Sequence, residues 1–493
     1  MNLALAFAAS AEKNPGKTAV FWGESEFSYG QLFAQTGWLA GRLQRDFGVQ
    51  PGDRVGLWLK NCPEFVPTLF GILQAGAVAV PINNFLKPDE VNFILADAGI
   101  DVLVTQAGLA EALPHLTAVR PGLRAFLVED FPTALTTPDG AHVTTTATRE
   151  DLAVIVYTSG TTGRPKGAML THGNLLHNVE SCRQMLAAVD HDRFVVLLPM
   201  FHSFMLCVGV CLPLLVGGSL VLVKSVHPVK SALLEIVHRQ ATILPAIPQF
   251  FRALLEAHLP PDLPLRLCVS GAAPLPHQTF KEFSAKFPMP LIEGYGLSEA
   301  SPVVSMNPIR GPWKIGSIGV PVPDVELTVQ NDAAEVLAVG EIGELCVRGG
   351  NVMRGYWNQP AETGRALRGG WLLTGDIGYR DADGYFFITD RKKDMLLVNG
   401  INVYPREIEE VIHQFPGIRE VAVISQPDPR RGEQPVAFLA TSDGTPIDER
   451  ALLHFVRAKL ADYKVPRRVV QVAALPRNAT GKILKTELRR LPV

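Results

Sequence analysis

The chain has 493 residues, enough for about three folding units, and it buries roughly three quarters of its unfolded surface without needing disulfide staples. With 47% hydrophobic and 19% charged residues its composition is globular, which excludes a largely disordered chain. Lys plus Arg number 46 against 48 Asp plus Glu, a net charge of −2, and this balance argues against a dedicated nucleic-acid binder.

The N-terminal MNLALAFAASAEKNP has no Lys or Arg before its apolar stretch. It lacks the basic start of a secretory signal and reads as a first amphipathic helix. Short apolar, β-branched runs then recur at 54–59, 77–82, 102–105, 153–158, 194–198, 219–223, 241–245, 265–269 and 290–292. Each is followed by a turn and a helical pattern. The runs do not alternate, as expected for strands buried on both faces, so a parallel α/β sheet is predicted, and their number points to two wound sheets. Residues 204–223, FMLCVGVCLPLLVGGSLVLV, are 20 residues without a charge, long enough for a bilayer. Pro213 and Gly217–Gly218 interrupt them, so the expectation is a buried helix, a glycine turn and a buried strand over 219–223. No transmembrane segment is predicted, and peripheral membrane contact is left open.

Past residue 308 the texture changes to glycine-rich, alternating strands at 325–329, 343–347 and 371–374, an antiparallel region. A third regime begins near 393. Amphipathic helices are predicted over 405–415 and 446–460, with strands at 420–424, 435–440 and 468–472. In the second helix Leu452, Leu453, Val456 and Leu460 share a face. Thr445 supplies the cap, Pro446 a first-turn proline and Asp448 the capping-box acid. The chain thus divides into 1–392 and a small α+β domain, 393–493. The six cysteines, Cys62, Cys182, Cys207, Cys211, Cys268 and Cys346, form no CxxC pair and sit mostly in apolar runs. They read as buried reduced thiols in a cytoplasmic protein.

The strongest local signal is YTSGTTGRPKGAML, residues 157–170. It follows a strand and precedes a helical pattern with Leu175, Val179, Cys182 and Leu186 on one face. Thr158, Ser159, Thr161 and Thr162 offer hydroxyls, and Gly160, Gly163 and Gly167 let backbone N–H groups approach an anion. Lys166 adds a positive charge. The glycine spacing and the Gly after the lysine exclude the GxxxxGK[ST] phosphate loop. An ordinary surface loop would explain a lone glycine, but not so many residues of this chemistry together.

This segment resembles the signature of the adenylate-forming superfamily: acyl-CoA synthetases, peptide-synthetase adenylation domains and firefly-type luciferases. The resemblance runs from FSYGQL at 27–32 to PRNATGKILKTEL at 476–488 and is most similar to bacterial fatty acyl-CoA ligases. It implies two wound α/β subdomains and a β-barrel-like subdomain, followed by a mobile C-terminal α+β domain. It also implies an ATP-dependent acid–CoA ligase using Mg²⁺. The carboxylate would attack the α-phosphate of ATP to give acyl-AMP, and CoA would then take the acyl group.

The resemblance assigns residues to this chemistry. In CVSGAAPL, adenine would lie against Gly271, Ala272 and Ala273. In EGYGLSE, Glu293 would sit near the adenine amine, Tyr295 would stack, and Gly294 and Gly296 would permit close approach. Ser298 would donate to phosphate, and Glu299 with Thr158 would hold Mg²⁺. In WLLTGDIGYRDADGYFFITDR a two-residue turn at Asp383–Gly384 makes paired positions sum to 767, so Asp376 faces Arg391. The family uses these two to hold the ribose. Lys482 would be delivered to the α-phosphate, Lys393 would be the hinge, and Gly400 would border the thiol tunnel, with Asn399 tolerating the turn's positive φ. In LLPMFHSFML, His202 would gate an acid pocket with Phe204, Ile247 and Gly294.

No Asp or Lys appears among the pocket residues, and burial would penalise a charged substrate tail, so the acid is expected to be apolar and fatty. The alternatives are an acyl carrier protein in place of CoA, or an aryl acid. Residues 393–493 hold 16 Lys/Arg and 12 Asp/Glu, a net +4 that suits CoA phosphates and an acidic carrier alike. An idle binding protein and an oxygen-using luminescent enzyme are the remaining rivals. The choice between monomer and homodimer stays open.

Overall fold

The computed structural model describes residues 1–132, 145–158, 165–226, 228–257, 263–399, 401–428, 432–442, 444–477 and 482–491. One sheet carries the parallel strands Leu152–Thr158, Val78–Pro81, Arg54–Leu57, Val102–Thr105 and Arg124–Leu127 in that spatial order. A second carries Leu291–Gly296, Leu267–Ser270, Ile243–Ala246, Arg193–Val196, Ser219–Leu222 and Thr18–Trp22, also parallel.

Successive side chains of a strand point to opposite faces, and here both faces are covered. Phe194, Val196, Leu220 and Ile243 enter one core, which is shared with Val55, Leu57 and Val104 of the other sheet. Helices Leu3–Lys13, Tyr29–Arg45, Phe65–Gln74 and His172–Met185 contribute to this central core. Val195, Val221 and Leu244 face an outer core with helices Val229–His238, Pro248–Glu256 and His277–Lys286. Val78, Val80 and Leu103 face the opposite outer core with helix Pro88–Asp97. The five layers run helix–sheet–helix–sheet–helix. This double burial is why the sequence shows solid apolar runs instead of alternation.

The antiparallel region is not a separate sheet. Strands Val303–Met306, Ser317–Pro321, Phe386–Arg391, Trp371–Arg380, Gly343–Gly349 and Val325–Gln330 continue by hydrogen bonds from Leu291–Gly296. A third sheet holds Ile401–Val403, Leu396–Val398, Gly432–Thr441, Ile418–Asp428 and Arg468–Gln471. Helices Pro405–His413 and Glu449–Arg457 close its own core around Ile408, Ile412, Val423, Leu439, Leu452 and Val456.

Residues 204–223 divide as expected. Met205–Cys211 is a π-helical turn, Leu212–Val216 is α-helical, Gly217 is left-handed at φ +84°, and Ser219–Leu222 is a buried strand. Among the described residues no helix is long and apolar enough to cross a membrane.

The second half of the 157–170 segment is a strand, Lys166–Thr171, antiparallel to Leu152–Thr158, and the expected helix follows it as His172–Met185. Two local expectations need correction. Helix 446–460 begins only at Glu449: the Asp448 carboxylate accepts from Ala451 N at 3.0 Å, and this stronger cap displaces Thr445. The turn of the 371–391 hairpin has three residues, not two. Asp381 N donates to Tyr385 O, and pairs near the turn sum to 766. A bulge after Ile377 restores the sum to 767, so Asp376 does face Arg391.

Candidate active site

At the open end of that hairpin, Arg391 Nε lies 2.6 Å from Asp376 Oδ1. Tyr295, from the last parallel strand, donates its hydroxyl to Asp376 Oδ2 at 2.6 Å. Asp376 is buried, and Thr374 Oγ1 accepts from its backbone N–H. Burial and the neighbouring Asp376 charge both push the Tyr295 phenol upward. The hydroxyl therefore stays protonated and remains a donor.

Lys482 comes to the same place from the third sheet's side. Its pKa falls to about 8, chiefly through repulsion by Arg391, then through burial, with Asp376 opposing and Lys393 adding repulsion. The residue as a whole is open to water, so the cationic neighbours are the cause with most weight. His202 faces the same group of charges. Burial first, and Lys482 second, lower its pKa to about 4, so the imidazole is neutral near pH 7. The third sheet is seated by Arg406, which donates from its backbone N to Asp390 Oδ2 at 2.9 Å and from Nη1 to Ile388 O at 3.0 Å. Arg252 Nη1 also reaches Arg419 O at 2.6 Å. Asp394, beside Lys393, pairs with Arg489 at 2.8 Å.

A second group surrounds Lys166. Its ammonium pairs with Glu362 and lies 5.3 Å from the centroid of the Tyr356 ring. The Tyr356 hydroxyl donates to Glu299 Oε1 at 2.8 Å. Thr158 is paired with Lys166 across the hairpin. Ser298 Oγ lies 2.9 Å from Ser203 Oγ. Ser159, Gly160, Thr161, Thr162 and Gly163 lie outside the described residues, as does Gly400. Asn399 does adopt positive φ, +52°, in the turn between Leu396–Val398 and Ile401–Val403.

Glu293 is buried away from the Asp376 pair. Its carboxyl accepts from Leu275 N at 3.1 Å, and desolvation raises its pKa to about 7. Gly271 ends a buried strand, and a Cβ there would lie 3.1 Å from the Phe204 ring. Ala272 takes φ +66° and is exposed, while Ala273 is half-buried. Gly296 is obligatory, because a Cβ would meet Pro302 O at 2.1 Å. Gly294 has room, with Met306 no nearer than 3.6 Å. His202 precedes the buried Phe204 by two residues and accepts from its backbone N at 3.3 Å. Ile247 is half-buried at the start of helix Pro248–Glu256.

The structure thus joins Tyr295, Asp376, Arg391, Lys482 and His202 in one group, and Thr158, Lys166 and Glu299 in another. Sequence reasoning passed over Ser203, Tyr356 and Glu362. The last two belong to RGYWNQPAET, a segment with no glycine–hydroxyl pattern. Their partners lie 57 and 196 residues away.

The sequence model of the AMP-binding enzyme family matches residues 7–357, and that of the AMP-binding enzyme C-terminal domain matches 407–482. The chain belongs to the AMP-binding enzyme family. This AMP-binding enzyme is 38% identical to the feruloyl-CoA synthase of an Amycolatopsis species, over 97% of each chain. It is 35% identical to the long-chain-fatty-acid–CoA ligase of Bacillus subtilis, over 97% of this chain and 92% of the relative. Among solved structures, ATP-bound MatB from Rhodopseudomonas palustris superposes with a TM-score of 0.91 at 33% identity, over 99% of this chain and 98% of MatB. Apo MatB at the same coverage gives 0.79, so the present arrangement is nearer the nucleotide-bound form. The AMP-binding enzyme is an AMP-forming acid–CoA ligase of the adenylate-forming superfamily, an acid–thiol ligase that takes ATP and CoA as substrates.

Proposed function

We propose that this ligase activates an apolar carboxylic acid, in the first instance a fatty acid, as acyl-AMP and passes it to CoA. The observation that carries the reading is the meeting of Lys482, from the C-terminal segment, with Arg391 and Asp376 of the 371–391 hairpin and with His202, from the segment before Met205–Cys211. In this reading Asp376 and Arg391 hold the ribose hydroxyls, with Tyr295 stacked on adenine between the 271–273 backbone and Glu293. Thr158, residues 159–163, Lys166 and Ser298 take the phosphates.

The acid's carboxylate and the α-phosphate are both anionic, and charge builds on the phosphoryl oxygens as pyrophosphate leaves. Positive charge from Lys482 and Lys166, fixed in a partly dry site, lowers that barrier. Mg²⁺ fits the residues present. Glu299 and Thr158 offer oxygen only, the donor set of a hard cation. Among the described residues no group of three or more His, Cys, Asp or Glu is placed to hold a metal. When bound, Mg²⁺ would neutralise charge on the leaving pyrophosphate.

Neutral His202 would close the acid pocket beside Phe204, Ile247 and Gly294. An apolar wall favours an apolar tail, because an unpaired charge there would lose its hydration. For the second step, Lys393 would be the hinge about which residues 393–493 turn, bringing Gly400 to the thiol channel. The thiol then attacks the acyl carbonyl and AMP leaves. The net +4 of that region suits the CoA phosphates. Six free cysteines suit a reducing, cytoplasmic setting. An aryl acid is the second reading, favoured by the likeness to feruloyl-CoA synthase.

The test is acid-dependent ATP–pyrophosphate exchange across alkanoates of graded length and a set of benzoates and cinnamates. Fatty specificity requires kcat/KM to rise with chain length and exceed that of every aromatic acid. A cinnamate optimum would replace it with the aryl reading, and absence of exchange with all of them would refute an apolar acid.

A further inference from the structure

Lys166 is paired with a carboxylate that no part of the glycine–hydroxyl signature supplies. Glu362 sits on the short helix Pro360–Ala366, which follows the strand carrying Tyr356. One of its oxygens takes the Lys166 ammonium and the other takes the Arg365 guanidinium. The Lys166 side chain is 11% exposed and that of Glu362 23%, so solvent screens this pair only in part. The Lys166 bond is also the chief reason the Glu362 carboxyl sits below its ordinary pKa.

Two features make the contact exchangeable. Arg365 is 70% exposed and stays with Glu362 if Lys166 leaves, so departure strands no unpaired carboxylate. Lys166 has a second partner in the Tyr356 ring face, and the Tyr356 hydroxyl is bonded to Glu299. We propose that Glu362 is the positioning counter-ion that Lys166 exchanges for the triphosphate, and that it thereby sets ATP affinity and the ease of pyrophosphate release. The anionic side chain competes with phosphate for one ammonium. It holds Lys166 in place before ATP arrives and reclaims it as pyrophosphate departs. This inference rests on the reading that Lys166 faces the triphosphate.

Glu362→Gln is the test, because the amide keeps an oxygen acceptor for Lys166 and removes only the charge. KM for ATP and the inhibition constant of pyrophosphate are expected to fall together by about three- to tenfold, the scale of one partly screened charge. KM for the acid should not move, and the effect should shrink as ionic strength rises. A purely structural Glu362 would give neither the joint fall nor the salt dependence. Lys166→Met is run in parallel. If it leaves KM for ATP unchanged, the reading of Lys166 fails. If it raises that KM while Glu362→Gln leaves both constants unchanged or higher, the reading stands and the counter-ion proposal is overturned.

Discussion

Asp376 binds Arg391 with one carboxylate oxygen and Tyr295 with the other, so a single buried anion ties the antiparallel hairpin to the last strand of the wound sheet. It also opposes the repulsion that lowers the Lys482 pKa. Replacing Asp376 by Asn removes the charge from all three relationships at once. Arg391 is then left without its buried counter-ion, and Lys482 keeps only the opposing charge of Asp394 against Arg391 and Lys393. Acyl-adenylate formation is expected to drop by about 100-fold or more, the cost of misplacing reacting groups. The melting temperature should also fall by several degrees, about 2 °C or more. Exchange kinetics and thermal unfolding measure the two effects, and near wild-type exchange would contradict the assigned role.

Lys482 sets a pH limit. With its pKa lowered to about 8, the free enzyme loses this positive charge as pH rises through that value. In the proposed reading the protonated form is the one that meets the α-phosphate. For the adenylation half-reaction kcat/KM for ATP should therefore be flat below about 7 and decline above 8, because this ratio reports groups of the free enzyme. Lys482→Arg should move the declining limb upward, since guanidinium does not titrate in this range. Thioester formation from preformed acyl-AMP should show no such limb. Lys482→Ala should abolish the first half-reaction by orders of magnitude and largely spare the second. Equal damage to both half-reactions would refute the division of labour.

The wound sheets were legible in the sequence because parallel strands buried on both faces leave solid apolar runs. Even the division of residues 204–223 could be read from Pro213 and the glycine pair. The Asp376–Arg391 pairing was reached through two compensating errors. The turn holds one more residue than an Asp-Gly hairpin needs, and a bulge at Ile377 cancels the shift. Bulges have no local composition, so register arithmetic could not see either. Asp448 took the cap from Thr445 because a cap depends on where the chain enters the helix, which the wider fold decides. Glu362 and Tyr356 were missed for a different reason. Each acts on a partner distant in the chain, and neither residue type is distinctive alone.

The two glycines flanking Tyr295 should respond differently to alanine. A Cβ on Gly296 would lie 2.1 Å from Pro302 O and 2.7 Å from its carbonyl carbon, both backbone atoms that cannot rotate away. Gly296→Ala must displace the 296–303 pairing and is expected to cost about 3 kcal/mol or more. On Gly294 the nearest atoms are 3.6 Å away, an ordinary contact. Gly294→Ala should therefore fold with nearly unchanged stability, while its methyl group narrows the acid and nucleotide side and raises KM. Denaturant unfolding separates the cases. Equal stability losses in both variants would show that the strand, and not the close approach at Gly296, sets the requirement.

Glu293 supplies the last test, through the dependence of stability on pH. Its carboxyl is raised to about 7 by desolvation, with Arg406 opposing the shift and Glu410 reinforcing it. The folded protein therefore holds this proton more tightly than the unfolded chain does. That contribution to stability is complete below the ordinary carboxyl range and is lost as pH rises through about 7. Glu293→Gln keeps a carbonyl oxygen for Leu275 N and carries no proton to lose. Relative to wild type, the variant should gain on the order of 2 kcal/mol between pH 5 and pH 8. Urea unfolding without nucleotide at several pH values measures the difference directly. Parallel profiles for the two proteins would mean that Glu293 is already ionised in the fold, and that Arg406 outweighs the burial around it.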